Sequence, residues 1–267
     1  MLLKRIKCPI CGTYYDPTLE KCPECHKLNE IYSNREINDK IVFMHPAAQI
    51  GLFLGGFSMT GMLLIQLIIV ILLKSVIPDK TAFESVLISC TYILMMGGLF
   101  FIVFFTRREL FFSKYRRKID YIYGIAYAIT LIFVGSLVGN LTSLFYQATD
   151  NVNQSTAIVF SKNYPLLAFF VIGILGPLCE ELTYRVGLYS FLRRINKYLA
   201  FIVTVLVFAF IHFDLEATDI VNELWSIPSY IAAGFILTLA YEHRGPACSM
   251  VAHVCYNIFA FLVILAS

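Results

Sequence analysis

Charge is scarce in this chain. Only 15% of its 267 residues are charged, against roughly 25% in ordinary soluble domains, and the mean hydropathy is +0.73. Stretches such as Gly51–Leu73 and Thr91–Phe105 hold no charged residue. A helix that crosses a bilayer needs about 20 mostly apolar residues, so this scarcity excludes a water-soluble globule. It points to an all-α polytopic membrane protein whose surroundings are lipid, and nothing in the composition asks for a nucleic-acid partner. A secretory signal is also missing. The first residues are charged and lead into cysteines, not into an apolar core with a small-residue cleavage site.

What the sequence does hold begins with cysteine. Residues Cys8–Cys25 read Cys-Pro-Ile-Cys, ten further residues, then Cys-Pro-Glu-Cys. Two such knuckles offer four thiolates to one tetrahedral Zn²⁺, so Cys8, Cys11, Cys22 and Cys25 are the expected ligands of a structural zinc. The prolines and Gly12 suit the tight turns that aim each pair. A ribbon this small buries little core, so the metal would stabilise its fold. His26 reads as a surface residue beside four sufficient thiols. The other cysteines, Cys90, Cys179, Cys248 and Cys255, lie in apolar segments and read as small buried hydrophobes. The expected organisation is a zinc ribbon over residues 1–28, a polar linker over 29–46 and a membrane core over 47–267.

Apolar runs predict about seven spans, near Ala47–Leu73, Glu84–Thr106, Ile119–Tyr146, Tyr164–Leu192, Tyr198–Phe213, Ser226–Tyr241 and Pro246–Ala266. Charge provides an independent check. The stretch Arg107–Lys118 holds six basic residues and one acidic one, and Arg193, Arg194 and Lys197 follow the fourth span. The loop Asp214–Glu223 holds four acidic residues and no basic one. With the N-terminus cytoplasmic, the basic loops fall inside and the acidic loop outside. The ribbon then lies in the reducing cytosol, where free thiols persist.

Ionisable groups inside a span are costly and are functional candidates by default. The fourth span carries Glu180, Glu181 and Arg185. Glu181 and Arg185 stand at i,i+4 on one helical face, in the favourable order. Glu180 lies about 100° round the helix and faces something else. The plain structural alternative is a Glu-Glu-Arg cluster that joins helices. His212 ends the fifth span, where a lone histidine is commonly interfacial or packed. In the seventh span His253 and Asn257, again at i,i+4, form one polar patch, which could equally be a hydrogen-bonded pair between helices. Their depths differ, by an amount that helix tilt could absorb. At ~1.5 Å per residue Glu180 and His212 lie about 20–22 Å from the basic cluster, and His253 only roughly 13 Å.

Glu180-Glu181-x-x-x-Arg185, Phe208-x-x-x-His212 and His253-x-x-x-Asn257, in this order on successive spans, resemble the CPBP family. That family holds the type II CAAX prenyl endopeptidases and the bacteriocin-processing or bacteriocin-immunity proteins. The likeness covers about Tyr164–Phe259. One local departure is Val186, which stands between Arg185 and Gly187 where the family usually has glycine directly. The resemblance implies a helical core around a polar cavity and peptide hydrolysis in or near the bilayer. It implies Glu180 as general base, His212 helping to hold the attacking water, His253 and Asn257 stabilising the oxyanion, and Glu181–Arg185 supporting the site. The implied substrate is a membrane-associated peptide or protein. The two-knuckle ribbon, without a long eukaryotic-type extension, is compatible with a bacterial protein, so the expected location is a bacterial plasma membrane.

Two other readings stay open. Glu180, His212 and His253 could in principle hold a catalytic zinc, but no His-Glu-x-x-His exists and the candidates differ in depth, so a metal-free route is expected. The same polar cluster could serve binding alone in a non-proteolytic immunity or scaffold protein. Prenylated peptides, signalling-peptide precursors and bacteriocin leaders are all compatible substrates.

Overall fold

Glycine, proline and short polar side chains punctuate the apolar runs, and the helices begin and end where these fall. The computed structural model describes residues 5–16, 19, 21–27, 29, 41, 43–57, 63–147 and 149–267. The chain divides into two units, Met1–Phe43 and Met44–Ser267. The expected linker over 29–46 falls largely on residues 30–40 and 42, which lie outside the described set.

In the first unit, β1 (Ile6–Lys7) pairs antiparallel with β2 (Tyr14–Tyr15). Each knuckle closes through matching backbone bonds. Gly12 N–H donates to the Cys8 carbonyl and His26 N–H to the Cys22 carbonyl, both at 3.0 Å. Cys8 N–H donates to Thr13 and Cys22 N–H to Lys27, both at 2.9 Å. The residue after each second cysteine has a positive φ, +75° at Gly12 and +57° at His26. Gly12 takes that conformation without the Cβ clash that His26 must tolerate.

The second unit is helical. α1 (Pro46–Gly56) starts on His45, whose ring nitrogen accepts from Ala47 N–H, with Pro46 preset for a first helical turn. It is followed by α2 (Leu63–Leu73) and α3 (Lys80–Ser113), the latter capped by Asp79 on Ala82 N–H at 2.7 Å. α4 (Lys118–Ser143) and α5 (Val152–Asn163) follow. Next come α6 (Pro165–Arg193), α7 (Lys197–Phe210), α8 (Ile220–Arg244) and α9 (Pro246–Ala266). Asn196 caps α7 and Asp219 caps α8 in the same way as Asp79. Gly245, with φ +85°, both ends α8 and precedes α9.

The chain is thus an all-α polytopic membrane protein. Among the described residues α3, α4, α6, α8 and α9 are long and apolar enough to cross a membrane, and α2 and α7 are shorter apolar helices. The first expected span is not continuous. α1 ends at Gly56, Phe57 is extended, and α2 begins only at Leu63. Gly55 and Gly56 are poor helix formers and favour such a break. α5 lies between the third and fourth expected spans. α3 also continues through Ser113, so the basic stretch after Thr106 starts as helix.

α1 packs against α6 at two glycines. A Cβ on Gly187 would sit 2.8 Å from the Phe53 backbone nitrogen, and one on Gly56 would overlap Thr183. The two backbones approach closely enough that no larger residue fits without movement. α9 lies along α4, and α7 against α8. This packing brings the inner faces of α6, α7, α8 and α9 together.

Candidate active site

α6 is not a regular α-helix. It widens to π-register over Val171–Leu175 and again over Glu181–Tyr189. Side chains also donate to carbonyls along this helix. Thr183 Oγ1 donates to the Cys179 carbonyl at 2.7 Å and Ser190 Oγ to the Arg185 carbonyl at 3.0 Å. Asn257 Nδ2, from α9, donates to the Ile172 carbonyl at 3.0 Å.

The adjacent glutamates have different surroundings. Glu181 and Arg185 are both 0% exposed, and Arg185 donates to Glu181 Oε1 at 2.9 Å. The second guanidinium nitrogen reaches the Gly234 carbonyl of α8 at 3.4 Å. The guanidinium also lies 4.3 Å from the centre of the Phe208 ring, a cation–π contact. His253 Nδ1 lies 3.0 Å from the same Glu181 oxygen. A carboxylate paired with Arg185 only accepts, so Nδ1 carries the hydrogen and the ring is fixed in orientation.

Glu180 takes the other direction. Its side chain is 16% exposed, and its Oε2 stands 3.7 Å from His253 Nε2. Among the described residues the Glu180 carboxylate makes no hydrogen bond, whereas Glu181 Oε1 meets both Arg185 and His253, and the buried Glu181 Oε2 has no partner.

His212 follows the last turn of α7. Its Nδ1 donates to the Phe208 carbonyl at 2.8 Å, which leaves Nε2 as the nitrogen free to accept. The ring stacks on Tyr230 at 4.3 Å and leans on Phe208 at 5.0 Å. Phe208 in turn lies 6.0 Å from the His253 ring. The structure therefore joins Glu180, Glu181, Arg185 and His253 directly, and His212 through Phe208. Asn257 stands one turn beyond His253, with its amide nitrogen on α6.

Sequence reasoning placed Phe208 in the His212 motif without a role for it, and it overlooked Tyr230. Phe208 stands at i−4 from His212, a spacing that places both on one face. Tyr230 has no comparable signal. The expected mismatch in depth does not keep Glu180 from His253, which lie 3.7 Å apart, and the π-register closes part of it. A π-turn holds more residues than an α-turn, so Glu181–Tyr189 advances less per residue than the α-helical rise assumes.

In the first unit the four thiols form the one group, among the described residues, whose potential metal-ligand atoms converge, all within 4.8 Å of one another. Cys8 and Cys25 sulfurs are 3.5 Å apart, as are Cys11 and Cys22. Zinc–sulfur bonds of about 2.3 Å in a tetrahedron put sulfurs about 3.8 Å apart, so the spacing fits a metal. The thiols do not ionise as a uniform set. The Thr13 hydroxyl lowers Cys11 to about 6, and the Cys11 backbone N–H lowers Cys8. Although the Lys27 backbone N–H favours its thiolate, Cys25 is pushed up to about 12 by burial and by its sulfur neighbours. Four close thiolates need a cation among them.

Residues 162–259 match the model of the Rce1-like family, type II CAAX prenyl endopeptidase. This segment is similar to that family. It runs from the end of α5 into α9 and contains all six candidate site residues. The chain is 28% identical over 153 residues to the UPF0177 protein YvdC of Lactococcus lactis, an alignment covering 57% of this chain and 55% of that one. It is 22% identical over 178 residues to the UPF0177 protein YbdI of the same organism, covering 64% and 92%. To the membrane-embedded CAAX protease MroQ of Staphylococcus aureus it is 28% identical over 148 residues, covering 52% and 55%. The chain thus spans about half the length of several of these curated relatives. No solved structure matches it. The Rce1-like segment leaves the cysteine knuckles and α1–α4 outside its bounds.

Proposed function

We propose that the chain is an intramembrane endopeptidase that hydrolyses a peptide bond of a membrane-associated peptide or protein, with Glu180 as general base. The observation that carries this reading is the division of labour between adjacent carboxylates. Glu181 is tied to Arg185 and His253, while Glu180 is open and faces His253 Nε2. The Rce1-like segment and the likeness to a CAAX protease support it.

In this reading a water lies between Glu180 and His212 Nε2. Glu180 removes its proton as the oxygen attacks the scissile carbonyl carbon. The carbonyl oxygen becomes an oxyanion that His253 Nε2 stabilises, and donation from Nε2 as well as Nδ1 requires the ring to carry both protons. The C–N bond then breaks, and the proton on Glu180 passes to the leaving nitrogen. Glu181 and Arg185 hold His253 in place. The alternative of a catalytic zinc would gather Glu180, His212 and His253 around one ion. Their ligand atoms do not converge as the cysteine sulfurs do, which supports the metal-free route.

The cysteine cluster is proposed to hold one structural Zn²⁺, which would cross-link the two knuckles. The proposed location is a bacterial plasma membrane with the N-terminus cytoplasmic, supported by the charge of the loops and by bacterial relatives.

Glu180→Gln keeps shape and removes the base. Peptides from membranes of cells bearing wild type and Glu180→Gln, compared by mass spectrometry, are expected to differ in at least one product that requires Glu180. Identical peptide profiles from two equally expressed proteins would sink the reading.

A further inference from the structure

The first π-turn of α6 has a defect built into its sequence. Gly176 N–H reaches back five residues to the Val171 carbonyl. In that register the next donor belongs to residue 177, and its acceptor is the Ile172 carbonyl. Residue 177 is proline, which has no N–H. A main-chain carbonyl without a donor is costly within a membrane, where no water replaces it. Asn257 Nδ2 is the group that reaches it, at 3.0 Å and from a helix 85 residues further along the chain.

The register matters because Glu180 and Glu181 follow directly. One extra residue in a turn rotates everything beyond it by about 100° relative to an uninterrupted α-helix. Without that rotation Glu181 would not meet His253 and Glu180 would point elsewhere. Asn257 stands one turn beyond His253 on α9. The same helix therefore holds the π-turn in place and presents the imidazole that reads its outcome.

We infer that Asn257 is a positioning residue: by donating to the Ile172 carbonyl that Pro177 orphans, it holds the register that decides which of two adjacent glutamates is left open. The inference rests on the proposed peptidase reading and deepens it. It ties Asn257 to the helix that carries the base, through one of the two hydrogens on Nδ2.

Pro177 supplies the test, because Pro177→Ala gives the Ile172 carbonyl a main-chain donor and makes Asn257 redundant. The variants are Asn257→Ala, Pro177→Ala and the pair together. Each is measured for thermal midpoint in detergent and for kcat and KM on a quenched fluorescent peptide spanning the Glu180-dependent cleavage site. Asn257→Ala is expected to lower the midpoint and to lower kcat by about tenfold or more, with KM little changed. The double variant is expected to recover both, with kcat within about threefold of Pro177→Ala alone. Recovery of the midpoint without recovery of kcat would overturn the inference and place Asn257 at the reacting atoms. An unchanged midpoint in Asn257→Ala would overturn it as well. If Asn257→Ala does not fold, a folded and active double variant supports the inference, and an equally misfolded one overturns it. Should wild type release no Glu180-dependent peptide, the peptidase reading fails by itself. The tie is then read from the midpoints and from amide exchange over residues 171–182.

Discussion

The two units of this chain each gather acidic ligand groups closely, and they balance that charge in opposite ways. In the cysteine knuckles four thiols converge on a space that an external cation fits. In the membrane unit the cation is part of the chain, since Arg185 lies against Glu181 with both side chains fully buried. The first arrangement depends on something that can be taken away. The second is intact as soon as its helix is made. Substitutions at the two places should therefore fail differently.

The largest effect is expected at the knuckles. Zinc contributes apparent binding energies of about 10–16 kcal/mol to the folding of small zinc domains. Cys22→Ser with Cys25→Ser should abolish the metal, from one zinc per chain by elemental analysis to none. The membrane unit should keep its thermal midpoint. A parallel fall in that midpoint would break the comparison. Next comes Glu181→Gln, which leaves Arg185 charged and buried without its partner. Breaking such a pair costs about 3–5 kcal/mol, so folded yield and midpoint should both fall. Glu180→Gln one position earlier should leave both nearly unchanged. The smallest effect sharpens the contrast. Arg185→Lys keeps the cation but loses the fork that reaches Glu181 and the Gly234 carbonyl together. A cost of about 1–3 kcal/mol, read from the same melting curves, would show that geometry counts here beyond charge.

The sequence exposes these two places unequally. The knuckles are legible because every determinant is local: paired cysteines, prolines and Gly12 fall within eighteen residues of one another. The pairing of Glu181 with Arg185 is legible for the same reason, as a one-turn relation. Its meeting with His253 is not, because counting depth at the α-helical rise ignores the π-register of α6. The break after Gly56 is signalled by its glycines but outweighed by the apolar run around it. α5 is hidden because its sequence is polar enough to read as loop, and its start is set by distant partners. Glu223 accepts from Val152 N–H at 2.9 Å, and Asn151 donates to Ser226 at 3.0 Å. Tyr230 is invisible in the same way, since its place against His212 depends on where α7 and α8 cross.

The order in which the chain is synthesised gives the Glu181–Arg185 spacing a further meaning. Arg185 is made four residues after Glu181, so the two leave the ribosome together and can enter the bilayer as a pair. His253, which shares the same carboxylate oxygen, lies 72 residues later. At about 5–20 residues per second it is made roughly 4–14 s afterwards. For that interval Glu181 already has its counter-ion, and only Glu180 waits for α9 to arrive.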